Sequence, residues 1–318
     1  MEIGVATTAA SPARTSSTTK WAFPLKFFIL AFAFTWFFWG LAALGAREVF
    51  PALPGLTVIG TFGPLVAAVI VTAQESGRVG VRSLLGRILQ WRVAPIWYGV
   101  ALLGPLAITL VAMVLEVAAL GGQPPSLGTL IGELPSSLLT LVVTAVYMLI
   151  FVTLGEEVGW RGYALPALQA RYSAFIASLI LGVVWALWHL PVFFNPDTSY
   201  SDLSFLLFVA FLVPVTILMT WLFNSTAGSV LMAMIFHAVM NSADELWKVL
   251  PEYSGGKISG SEAAAAATHY YLIAAIVLWV VAVVVVLVYG PRNLSRHPRQ
   301  VLATAGGESV GPLPPRVR

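Results

Sequence analysis

Cysteine is absent from this chain, which excludes disulfide staples, thiolate nucleophiles and thiolate metal ligands. Charge is scarce as well. Asp, Glu, Lys and Arg make up 10% of 318 residues, against about a quarter in soluble proteins, so an ordinary soluble fold is excluded. The net charge of +3 is too small for a nucleic-acid footprint, and no nucleic-acid partner is expected. No repeat and no linker long enough to separate two domains is found.

What fills the sequence is apolar. Hydrophobic residues account for 58% of it, and they fall in runs long enough to cross a bilayer, for which about 20 residues suffice. Hydropathy predicts spans at about 25–45, 53–73, 95–120, 137–160, 173–194, 203–223, 228–247 and 270–289. The expected fold class is therefore all-α, a polytopic transmembrane helical bundle of about eight spans, with the lipid bilayer as solvent. Residues 1–20 and 291–318 are expected to be disordered cytoplasmic tails around a transmembrane domain at 21–290. The first apolar run, from Leu25 to Leu44, is too long for a signal-peptide core of about 7–15 residues, and reads as an uncleaved span.

The basic residues are distributed unevenly. Arg14, Lys20, Lys26, Arg78, Arg82, Arg87, Arg92, Arg161, Arg171, Arg292, Arg296, Arg299, Arg316 and Arg318 fall on one side of an even-span topology, and only Arg47, Lys248 and Lys257 on the other. By the positive-inside rule both termini are cytoplasmic, in what reads as a bacterial plasma membrane. Leu84, Leu85, Ile88 and Leu89 lie at helical spacing with Arg82, Arg87 and Arg92 largely off their stripe, as in a helix lying on the cytoplasmic leaflet.

Ionisable groups inside spans cost several kcal/mol unless paired or wetted, so each needs an explanation. Three segments carry them: Glu156-Glu157 with Arg161, Trp185 with His189, and His237 with Asn241. His237 and Asn241, four apart, share a helical face and can address one ligand. Trp185 lies one turn before His189 as an apolar wall. Glu157 and Arg161 can neutralise each other, which leaves Glu156, about 100° round the helix, for chemistry. A turn near Arg171, Tyr172 and Ser173 would bring Glu156 and His189 to similar depth, about 24 Å from it at about 1.5 Å per residue. This requires the fourth helix to continue through Arg161 towards Gln169.

A carboxylate, two imidazoles and an amide can support hydrolysis where bulk water is scarce. The carboxylate takes a proton from a held water, one imidazole shares that task or holds a metal, and the second His with the Asn stabilises an oxyanion.

The three motifs in this order resemble those of the CPBP intramembrane proteases, the CAAX-processing and bacteriocin-processing group also called the type II CAAX prenyl endopeptidase or Abi family. The resemblance covers roughly residues 55–245 and includes Gly63-Pro64 in the second span. It implies an intramembrane endopeptidase acting on a membrane-tethered peptide or protein. Glu156 is the implied catalytic glutamate, His189 its partner on the water, and His237 and Asn241 the further essential pair. Glu157, Arg161 and Trp185 take supporting roles. Trp185 departs from the family, which more often has Phe there. Glu156, His189 and His237 form the set that could hold zinc, and a water nucleophile in a low-dielectric cavity gains from a Lewis acid, although a compact His-Glu-x-x-His helix motif is lacking. Gly228-Ser229 begins a helix and suits an N-cap, not a serine nucleophile. The alternative is a non-catalytic binding or scaffold protein that keeps the polar cavity. Paired broken helices in two related halves, the mark of a transporter, are not found.

Overall fold

The computed structural model describes residues 23–120, 124–198, 200–243, 245–246 and 261–302. No strand occurs among them, and these residues form eleven α-helices: α1 (Leu25–Ala46), α2 (Leu56–Thr61), α3 (Gly63–Gly86), α4 (Pro95–Leu120), α5 (Leu127–Met148), α6 (Leu154–Gly159), α7 (Leu165–Gln169), α8 (Ala174–Trp188), α9 (Phe205–Ser225), α10 (Val230–Ser242) and α11 (Ser261–Tyr289). Seven continuous helical stretches are long and apolar enough to cross a membrane, at the places hydropathy predicts. The eighth expected span, 228–247, holds the shorter apolar helix α10. At about 1.5 Å per residue its 13 residues reach only about 20 Å. Its length is not matched to lipid, because nearly every residue from Val230 to Met240 is buried by neighbouring helices, chiefly α4 and α5.

The fourth span is one helical rod, Leu127–Gln169, that carries two wide π turns at Leu149–Thr153 and Trp160–Ala164. They bracket α6, the segment that holds Glu156 and Glu157. Such turns shift the angular position of the residues that follow and occur mostly at functional sites. The rod ends at a turn over residues 170–173, as expected, and Ser173 caps α8 by accepting from the Ile176 amide.

Two glycines fix where this rod sits. A Cβ on Gly155 would stand 2.7 Å from the Thr61 carbonyl oxygen, and one on Gly159 would collide with Pro64. The Gly-x-x-x-Gly spacing thus lets α6 lie directly on the α2–α3 break, the close backbone approach that small residues permit between membrane helices.

Several expectations change on folding. The basic helix near residue 84 is the far part of α3, set off by a break at Gly77 (φ 61°, ψ −156°) and followed by a 3₁₀ turn at Arg87–Leu89. Arg161, counted above with a cytoplasmic loop, is fully buried within the fourth span. Ser229 caps α10 through the Met232 amide, as its sequence position suggests. Residues 291–302 lie against the helix ends. Asn224 and Gln169 exchange amide hydrogen bonds (2.7 and 3.2 Å), Gln169 also donates to the Gln300 carbonyl at 2.8 Å, and Arg299 Nε donates to the Gln169 carbonyl at 2.7 Å. Buried amides need such partners, and the 291–302 segment supplies them. Residues 1–20 and 303–318 of the expected tails lie outside the described residues.

Candidate active site

Glu157 is the hub of the polar core. Its Oε1 accepts from Arg161 Nη1 at 2.8 Å, and both side chains are fully buried. The same oxygen lies 2.8 Å from His237 Nδ1, 80 residues away on α10. At the other edge of that ring, Asn241 Nδ2 donates to His237 Nε2 at 3.1 Å. With Nε2 accepting, Nδ1 carries the proton and donates to Glu157, so one tautomer satisfies both contacts. Arg161, Glu157, His237 and Asn241 therefore form a single chain, in which each side chain orients the next. The Arg161 guanidinium also rests over the Trp185 ring, 4.4 Å from its centroid, a favourable place for a desolvated cation.

Glu156 goes elsewhere, as its angular position requires. Its Oε2 accepts from the Trp185 indole nitrogen at 2.9 Å. The residue is 2% exposed, and Oε1 remains for a water. Trp185 is more than an apolar wall. Besides holding Glu156 and covering Arg161, it packs edge-to-face on His237 at 5.1 Å and offers its carbonyl to His189 Nδ1 at 2.9 Å. The last bond leaves His189 Nε2 as the ring nitrogen available for chemistry. Trp188 and Phe208 hold the His189 ring edge-on at 4.8 and 5.2 Å.

These groups border a cavity of about 310 Å³ whose walls include Trp185, His189, His237, Asn241, Met148 and Phe208. The two glutamates are not among its lining residues. All the expected site residues are thus brought into one connected cluster: Glu156, Trp185 and His189 on one branch, and Arg161, Glu157, His237 and Asn241 on the other. Two links were missed in the sequence, the indole bond to Glu156 and the Glu157–His237 bond. The first left a signal, since an indole N–H buried in an apolar span needs an acceptor. The second left none, because nothing in the sequence pairs positions so far apart.

The expected zinc set is not assembled. Among the described residues no three His, Cys, Asp or Glu side chains converge so as to hold a metal ion. Both ring nitrogens of His237 are engaged by Glu157 and Asn241, and the Glu156 carboxylate is drawn to the Trp185 indole. The residues as placed do not fit Glu156, His189 and His237 as a zinc ligand set.

Comparison with known proteins agrees with the motifs. Residues 138–243 match the family model described as type II CAAX prenyl endopeptidase Rce1-like, a stretch that contains Glu156, His189, His237 and Asn241. The chain is 29% identical over 239 residues to CAAX prenyl protease 2 of Methanococcus maripaludis, which covers 70% of this chain and 84% of that protein. Motifs, helix placement and both matches agree, and the chain is similar to intramembrane proteases of the type II CAAX prenyl endopeptidase family.

Proposed function

We propose that the protein is an endopeptidase that cleaves membrane-tethered substrates with a water activated by Glu156 and His189, in the manner of CAAX-type or bacteriocin-type processing. The observation that carries this reading is the position of Trp185, whose indole nitrogen holds Glu156 while its carbonyl holds His189. One side chain and its backbone thereby set the two groups that act on the water.

A substrate backbone enters the cavity as an extended segment, its scissile carbonyl near His189 and Asn241. Glu156, which lies off the cavity wall, takes through Oε1 a proton from a water that reaches it beside Trp185, and His189 Nε2 holds the water in line. Attack makes a tetrahedral intermediate whose oxyanion needs preorganised donors. Asn241 supplies one. Its amide nitrogen has two hydrogens, one bound to His237 Nε2 and the other free to meet the oxyanion. His237 orients the amide, Glu157 orients His237, and Arg161 balances the charge of Glu157. Collapse of the intermediate returns the proton from Glu156 to the leaving amine, so the carboxylate serves as base and then as acid. The protein carries out this work as an integral membrane protein with both termini on the cytoplasmic side, the orientation that its basic residues support.

The test is cleavage of a membrane-anchored peptide by purified protein in lipid vesicles, with the new ends mapped by mass spectrometry. Terminal peptidomics of membranes from cells that carry the native chain or Glu156→Ala identifies the natural substrates. If the Glu156→Ala membranes yield the same set of new termini as the native ones, the chain is not the protease proposed.

A further inference from the structure

We propose that the groove formed where α3 breaks at Gly77 is a binding site for one anionic phospholipid, whose phosphate is held by Arg78 and Arg82 and whose acyl chain lies along Leu85 and Leu89. This goes beyond the protease reading and does not depend on it.

Helical spacing in the sequence puts Leu84, Leu85, Ile88 and Leu89 on one apolar stripe, and the structure divides them. Leu84 is 5% exposed, and its Cδ1 lies so near Gly162 that a Cβ there would stand 2.8 Å from it. Ile88 packs against the same core. Leu85 and Leu89 are 38% and 76% exposed, and they line a groove of about 720 Å³ together with Arg78, Val81 and Arg82. Steps of three or four residues separate these five positions, so they form one stripe along the segment.

The break makes room for the groove. Gly77 has φ 61°, a conformation that strains any residue with a Cβ, and the space beside Gly77 and Gly86 is open. Lys26, in the first turn of α1, donates to Gln74. The break therefore lies near the end of a span, where lipid headgroups begin. Trp91 is exposed just beyond the groove, as interfacial tryptophans are.

Charge selects the occupant. The neighbouring Arg87 donates to the Gly162 carbonyl at 3.3 Å, and Arg92 rests over the Trp91 ring. None of the described ion pairs or side-chain hydrogen bonds engages Arg78 or Arg82. Glu75, the acidic residue nearest to them in the sequence, accepts from the Tyr163 hydroxyl at 3.1 Å, and no carboxylate lines the groove. Two guanidiniums four residues apart on one helical face suit the oxygens of a phosphodiester. A free anion would leave Val81, Leu85 and Leu89 uncovered, whereas a phospholipid brings the anion and a hydrocarbon chain in one molecule. Leu84 and Arg87 both meet Gly162, in the π turn that follows α6. A lipid that fastens this segment thus also steadies the rod that carries Glu156 and Glu157.

The test is retention of lipid by the purified full chain, read by native mass spectrometry after equilibration with phosphatidylglycerol and phosphatidylcholine of identical acyl chains. The expected result is one phosphatidylglycerol per chain, preferred by about tenfold or more over phosphatidylcholine, with a melting temperature raised by a few degrees in its presence. Arg78→Gln with Arg82→Gln should abolish the preference. Gly86→Phe, which fills the groove and leaves both arginines, should abolish retention. Arg92→Gln with Arg171→Gln, which removes exposed cations outside the groove, should keep both. Equal retention of the two lipids by the native chain overturns the proposal, as does a preference that survives either groove variant or is lost with Arg92 and Arg171. Displacement of the lipid by inorganic phosphate at the same concentration also overturns it, since the site would then be one for a free anion. If a groove variant fails to accumulate, Leu85→Glu on the exposed stripe takes its place, with retention expected to be lost and unchanged retention overturning the proposal.

Discussion

The indole nitrogen of Trp185 stands 2.9 Å from Glu156 Oε2. A hydrogen bond to a charged group contributes about 1.5–3 kcal/mol. Trp185→Phe keeps the aromatic bulk but removes the donor, so the fold should survive while the carboxylate loses its fixed position. The turnover rate should fall by roughly 10- to 100-fold, with thermal stability in detergent within a few degrees of native and little change in KM. A variant with native turnover would mean that the indole bond does not position Glu156.

Glu156→Ala removes the proposed base but little packing, since the side chain touches only the Trp185 donor among hydrogen-bonding groups. Cleavage should fall by at least about 10²- to 10⁴-fold, while the protein accumulates and melts as the native one does. His189→Ala should give the same pattern. The decisive measurement is single-turnover cleavage in vesicles, and near-native rates in either variant would sink the water-activation scheme.

Arg161 and Glu157 are fully buried partners, so breaking the pair strands a charge in the bundle. Arg161→Ala should destabilise the fold by about 3–5 kcal/mol and lower the amount of folded protein as well as its activity. Replacing both, as Arg161→Met with Glu157→Leu, removes both charges together and should recover much of the stability. Activity should stay low in the double variant, because His237 Nδ1 has lost its acceptor. An unchanged melting temperature for Arg161→Ala would contradict the ion-pair role.

Asn241 is argued to donate to the oxyanion, and loss of such a donor costs about 10²- to 10³-fold in kcat. Asn241→Ala should show that loss with KM nearly intact. Asn241→Asp should be at least as damaging, since a carboxylate facing an oxyanion repels it. Rescue of activity by the Asp variant in the presence of zinc would instead point to a metal site.

Because His237 has both nitrogens engaged and Glu156 is turned to Trp185, chelators should leave cleavage within about twofold of native, a change of under about 0.5 kcal/mol in the barrier. Activity measured after exhaustive treatment with a strong zinc chelator checks this. Inactivation that is reversed by stoichiometric zinc would overturn the ligand geometry described above.

Hydropathy alone placed the seven long spans, because each needs its own run of about 20 apolar residues, and that requirement is local. The pairing of Glu157 with Arg161 was equally local, set by four-residue spacing on one helix. So was the turn at residues 170–173, which brings α8 back beside the fourth span. The motif residues stood out because lipid makes any ionisable group in a span costly. What the sequence could not express were contacts between distant segments. Glu157 binds His237 across 80 residues, and that bond joins a helix-end ion pair to the candidate site. Gly155 and Gly159 carried a visible small-residue spacing, yet only packing shows that it faces Thr61 and Pro64. Arg161 is charged in any list of basic residues, but its burial under Trp185 removes it from the cytoplasmic surface. The apolar pattern thus determined the architecture and the candidate residues. The tertiary structure decided which side chains share a proton and which are engaged before any metal arrives, since each of these depends on how helices far apart in sequence are set side by side.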